Sequence, residues 1–194
     1  SVLFMPTELI GAFNILDNPM VRRLVAHNTE LVSLVHGMLY YYGIIDIPTM
    51  ANLIEDLLNI EMDLDHLYLV LAGARLFYGR IDLYDEFASY YWIAEPDELM
   101  DDHLMSPDIC YYPFTKAQLM DAGEIGFLPK TKELTKFMDL LKSNFEVEEI
   151  DAAEIARGLV EMISLGVELP DITPYFREHF DMLSPDLVDK FLRS

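Results

Sequence analysis

The chain has 194 residues, 52% of them hydrophobic, and carries 34 acidic against 13 basic side chains for a formal net charge of -21. That apolar content supports a buried core and argues against disorder, while so negative a surface repels a phosphate backbone, whose affinity for protein comes largely from Lys and Arg displacing counterions. The single cysteine leaves no internal disulfide, no apolar run approaches the roughly 18 residues that span a bilayer, and the start Ser-Val-Leu-Phe-Met has no basic n-region of a signal peptide, so a cytoplasmic setting is expected.

Residues 1–28 read as an N-terminal helical segment. A short helical or loop element covers 6–16, and Asn18-Pro19 is a good N-cap and first-turn pair for a stripe through Val21, Leu24 and Val25. That stripe either runs on into the next helix as one rod or breaks at Asn28. From Leu31 the apolar residues Leu31, Leu34, Val35, Met38, Leu39 and Tyr42 fall at three-and-four spacing on one helical face, which Gly43 ends.

Ile44, Ile45 and Ile47 form a short branched run. Asp46 and Pro48 then open a second helix whose stripe is Met50, Leu53, Ile54, Leu57 and Leu58. Asp63 can cap a third helix running to about Arg75, apolar almost all round from Leu67 to Ala74, which predicts burial on more than one side. Residues 77–83 and 87–93, rich in aromatic and branched side chains, flank the polar pair Asp85-Glu86 and predict a hairpin. Helix, short strand, helix, helix, hairpin is the order of a winged helix.

Beyond the hairpin the chain reads as helical. Residues 96–104 form a short acidic helix and Ser106-Pro107-Asp108 a turn, while Thr115 to Gln118 is a capping box whose helix stops at Gly123. A helix over 132–144 shows Leu134, Phe137, Met138 and Leu141, with Phe145 following. Another, opened at Asp151, shows Ile155, Ala156, Leu159, Val160 and Ile163 and closes at Gly166. Thr173-Pro174 and Ser184-Pro185 start two final short helices. The expected fold is thus mainly α: an N-terminal segment (1–28), a winged-helix-like core of three helices plus an aromatic hairpin (29–105) and a helical C-terminal region (106–194), the alternative being one continuous unit.

Chemistry-bearing patterns are few. A metal site would have to gather Asp101, Asp102 and His103 with Cys110, or Asp63, Asp65 and His66, and neither set has a recognised ligand spacing. Cys110 stands beside Tyr111, Tyr112 and Pro113, where a thiol behaves as a small hydrophobe. There is no Gly-rich phosphate loop and no nucleophile elbow. No cofactor is expected, and binding is favoured over catalysis.

Two tyrosine-rich stretches, Tyr40-Tyr41-Tyr42 and Tyr90-Tyr91-Trp92, could stack single-stranded bases, but only Arg75 and Arg80 lie near to supply a basic groove. A DNA-reading third helix would present Arg, Lys, Asn or Gln to base edges. This one offers Asp63, Asp65, His66 and Arg75, two acids at the entering end. The expectation is therefore a regulatory protein that meets another protein through the hairpin, with Tyr78, Arg80, Tyr90, Tyr91 and Trp92 as contact residues. Two alternatives remain open: a winged-helix regulator whose basic patch is completed in an oligomer, and a DNA mimic whose carboxylates occupy a basic protein.

The stretches Tyr41-Tyr42-Gly43-Ile44-Ile45-Asp46-Ile47, Tyr112-Pro113-Phe114-Thr115-Lys116-Ala117-Gln118-Leu119-Met120-Asp121-Ala122-Gly123 and Pro129-Lys130-Thr131-Lys132-Glu133-Leu134 resemble uncharacterised helical proteins of low-GC Gram-positive bacteria and their phages. The likeness covers roughly residues 34–165. Some of those proteins carry a SEC-C zinc-binding tail, whose cysteine-rich motif has no counterpart here. The resemblance implies a helical fold and a bacterial origin, with no zinc-binding residues to carry over.

Overall fold

Side-chain caps decide where most of the helices begin. The structure, a computed structural model, describes residues 6–93, 95–105, 110–144, 149–168, 170–172 and 174. The short helix α1 spans Thr7–Leu16, and α2 spans Pro19–Tyr42. Asn18 accepts hydrogen bonds from the backbone N–H groups of Met20 and Val21 at 3.0 and 3.1 Å, and Pro19 fills a first-turn position that needs no N–H. Asn28 makes no break: α2 is one rod of 24 residues, held through its C-terminal half by the buried stripe Leu31, Leu34, Val35, Met38 and Leu39. Gly43 ends it at φ 74°, a conformation that strains any side-chain-bearing residue.

Strand β1, Ile44–Asp46, leads directly into α3, Ile47–Leu58, where Asp46 accepts from the Thr49 N–H at 2.8 Å. Helix α4, Leu64–Tyr78, is capped by Asp63, which accepts from the Asp65 N–H at 3.0 Å, and it closes on Gly79 at φ 63°. Strands β2, Ile81–Leu83, and β3, Phe87–Tyr90, follow. The sheet is antiparallel in the order β1-β3-β2, with Ile44 opposite Ser89 and Ile81 opposite Tyr90.

The hairpin is shorter than its aromatic content predicts. Phe77 and Tyr78 form the last turn of α4, and Tyr91 and Trp92 form a turn after β3. Strand preference reflects fit to a half-buried pleated surface. Here the helix simply continues to Gly79, the first residue that adopts the left-handed cap cheaply.

Then come α5, Pro96–Met105, α6, Lys116–Gly123, α7, Lys132–Asn144, and α8, Glu149–Ser164. The capping box at α6 is formed reciprocally by Thr115 and Gln118. The expected turn at Ser106-Pro107-Asp108, Phe145 and nearly all of the two last helices fall outside the described residues. No helix among the described residues is long and apolar enough to cross a membrane.

The chain divides into two compact units, 1–124 and 125–194. The first is built on Leu31, Leu34, Met38, Met50, Ile54, Leu67 and Leu71, all fully buried. Helix α6 belongs to it, so this division lies well beyond the boundary expected near residue 105. The reason is a crossing of α2 and α6 made by glycine. A Cβ on Gly37 would stand 2.0 Å from the Leu119 carbonyl oxygen, and one on Gly123 would stand 2.0 Å from that of Ser33. In the second unit, Phe137 and Leu141 of α7 and Ala152, Ile155 and Ala156 of α8 share a core with Ile172.

Candidate functional site

Helix α4 has one covered face. Leu67, Val70, Leu71 and Ala74 point into the core, and the burial on several sides that its composition predicts does not occur. Leu69 is 71% exposed, Leu76 89% and Phe77 82%, and Tyr68 and Leu64 are a little under half exposed. Single exposed hydrophobes need no explanation, but here several share one helix. Between α4 and α2 runs a groove of about 490 Å³, walled by Val25, Thr29 and Val32 on one side and Leu69, Gly73 and Phe77 on the other. A Cβ on Gly73 would meet nothing within 4 Å. At one end His66 Nε2 lies 3.1 Å from Asn28 Oδ1, and its ring stacks on His27.

The predicted contact residues are distributed differently from expectation. Tyr90 is 3% exposed and therefore closed to a partner. Its hydroxyl accepts from Arg80 Nη2 at 2.6 Å and Nε at 3.2 Å, while Arg80 Nη1 donates to the Gly123 carbonyl at 3.1 Å, at the C-terminus of α6. Arg80 is thus a half-buried internal tie. Trp92, also half-buried, stands edge-on to Tyr90 with ring centroids 4.4 Å apart. Tyr78 and Tyr91 are the two of the five that are exposed. A strand's alternation could not reveal this, because its aromatic ring count is the same whether the rings face the core or water.

The first tyrosine-rich stretch packs on neighbouring rings of the chain. Tyr41 stacks on Phe114 at 4.0 Å, Tyr42 packs on Tyr111 at 4.8 Å and donates its hydroxyl to the Tyr112 carbonyl at 2.6 Å, and Tyr40 packs against Tyr90 and Trp92. Burial pushes the hydroxyl pKa of Tyr40 up to about 12, with Tyr41 and Tyr90 adding to it. Tyr111 is raised to about 12 by burial, then by Asp46 and Tyr42. These rings hold the unit together.

His36, which the sequence reading passed over, lies within this interior at 2% exposure, edge-on to Tyr78 at 5.3 Å. Burial first, and the nearby Arg80 second, push its pKa down to about 4, so the ring is neutral at physiological pH. Its Nε2 makes no hydrogen bond among the described residues. The available signal was a lone titratable residue inside the stripe Leu34, Val35, Met38, Leu39.

Of the metal candidates, Asp102 and His103 lie on α5 with side chains outside the described set, and Cys110 is exposed. No group of three or more His, Cys, Asp or Glu residues converges among the described residues. A second cleft, about 730 Å³, opens between the hairpin turn and α5. Asp85, Glu86, Asp97 and Asp101 line it together with Tyr84 and Phe87, whose rings stack at 4.6 Å.

Between residues 1 and 124 the sequence has 20 acidic and five basic side chains. Arg22 pairs with Asp17 at 2.6 Å, Lys116 with Glu30 at 2.5 Å and Arg75, the one cation of α4, with Asp82 at 3.7 Å. No protein-family model matches the chain, and no curated protein or solved structure is significantly similar to it.

Proposed function

We propose that the first unit is a winged-helix-like module of a cytoplasmic regulatory protein that works by binding protein, with α4 as its contact helix. The element order α2-β1-α3-α4-β2-β3 and the sheet order β1-β3-β2 support the winged-helix reading. The observation that carries the function is the outward face of α4. Where a DNA-reading helix would show Arg, Lys, Asn or Gln, it shows Leu69, Leu76 and Phe77. Apolar and aromatic anchors of this kind are what protein interfaces bury.

Capture of partners from the native host tests this. Leu76→Asp removes the most exposed anchor without touching the core, and the bound partner should be lost while circular dichroism is unchanged. A sequence-specific shift of duplex DNA that weakens steeply with salt would contradict the reading and favour the DNA-binding regulator instead.

A second reading, occupation of a basic protein by an acidic face, is favoured by the four carboxylates lining the cleft between the hairpin turn and α5. It predicts that replacing Asp85, Glu86, Asp97 and Asp101 by their amides weakens the captured complex more than Leu76→Asp does.

A further inference from the structure

We infer that the groove between α2 and α4 is filled by helix α1 of a second copy of this chain, in a symmetric arm-exchanged dimer. The inference rests on the reading of α4 as a protein-contact helix and names the partner at its groove.

Helix α1 is an arm without cover. None of its residues is buried; Leu9 is 56% exposed, Phe13 50% and Leu16 62%. Those three recur at i, i+4 and i+7 and so share one stripe, the pattern by which an amphipathic helix seats in a groove. Ten residues are also fewer than the ~12–15 that an isolated helix needs to hold together in water. The arm therefore needs a surface to lie on.

The hinge is built to present it. The Asp17 carboxylate takes two hydrogen bonds from Arg22, to Nε and Nη2, each 2.6 Å. Asn18 caps the first turn of α2 and Pro19 fixes its backbone. Two linker residues, both engaged, set the direction in which α1 leaves α2.

Charge permits a second copy as the occupant. Two copies with a net charge of -21 each can approach only where carboxylates are sparse. Glu8 is the one charged residue of α1, and the residues lining the groove include no carboxylate. Arm and groove are thus both apolar and matched in their lack of charge. Exchange of the two arms closes the assembly about a two-fold axis. With three arm and three groove side chains each covering about 100 Å², two symmetric crossings bury roughly 1,200 Å², the lower edge of a stable interface.

The test is sedimentation equilibrium of the full chain over a dilution series, with two variants that leave the core untouched. Phe13→Asp spoils the arm, and Gly73→Met fills the open floor of the groove. The wild type should be a dimer, and each variant should raise the dimer dissociation constant roughly 30-fold. Mixing the two variants, one with an intact groove and the other with an intact arm, should recover a heterodimer through a single crossing. A wild type monomeric throughout the series, or a dimer that survives both variants, overturns the inference. Either result leaves the protein-binding reading of α4 standing, because that reading is tested separately, by the response of partner capture to Leu76→Asp.

Discussion

The aromatic hairpin and helix α4 are about equally rich in large apolar residues, yet one hides them and the other shows them. Tyr90, at 3% exposure, has Arg80 on its hydroxyl and Trp92 on its ring, whereas Leu76 and Phe77, earlier in the chain at the end of α4, stand 89% and 82% exposed. Strand β3 is the middle strand of the sheet, with α2 close by, while the outer face of α4 has no facing layer among the described residues. Apolar content therefore reports that a residue wants cover, and only the fold reports whether the cover comes from within the chain.

Substitution on the two sides should separate them sharply. Tyr90→Ala removes a buried ring and the hydroxyl that accepts two of the Arg80 hydrogen bonds, so the first unit should lose about 4 kcal/mol of stability in denaturant unfolding. Gly37→Ala places a methyl against the Leu119 carbonyl, and since neither backbone can retreat without parting α2 from α6 it should cost at least about 3 kcal/mol. A Gly37→Ala protein as stable as the wild type would show that the crossing is looser than described.

Acid should attack the same interior. His36 has a pKa of about 4 in the folded chain and an ordinary value near 6.5 when unfolded. The unfolded chain thus binds a proton between those values that the native state refuses. The stability due to this residue is complete above pH 6.5 and falls as pH drops, by about 2 kcal/mol at pH 5 and about 3 kcal/mol below pH 4. Comparison with His36→Leu, whose unfolding should lack this component, isolates it from the carboxylates. The smallest effect belongs to the other side of the comparison: Leu76→Gln should change stability by no more than about 0.5 kcal/mol, and a larger loss would mean that this face is covered within the chain.

Much of the fold was legible because caps are local chemistry. Asn18-Pro19, Asp46 with Pro48, Asp63 and the Thr115–Gln118 box each start a helix where their side chains reach backbone N–H groups two or three residues on. The packing of α6 on α2 was not legible. It depends on two glycines 86 positions apart, of which Gly123 reads in sequence only as a stop signal. Which of the aromatic residues stay exposed was not legible for a related reason. Phe77-Tyr78 and Tyr90-Tyr91-Trp92 look alike as text, and a periodicity can say which residues share a face but not what stands opposite. Arg80, an apparent surface cation, is consumed by Tyr90 Oη and the Gly123 carbonyl, both distant in the chain.

The most direct test of the central claim is a photo-crosslinking residue placed at position 76 and activated in the native host. Adducts with polypeptide, lost when Phe77 is also replaced by Asp, are the predicted result. Adducts with nucleic acid, or none at position 76 while the same probe at position 91 captures a protein, would contradict it.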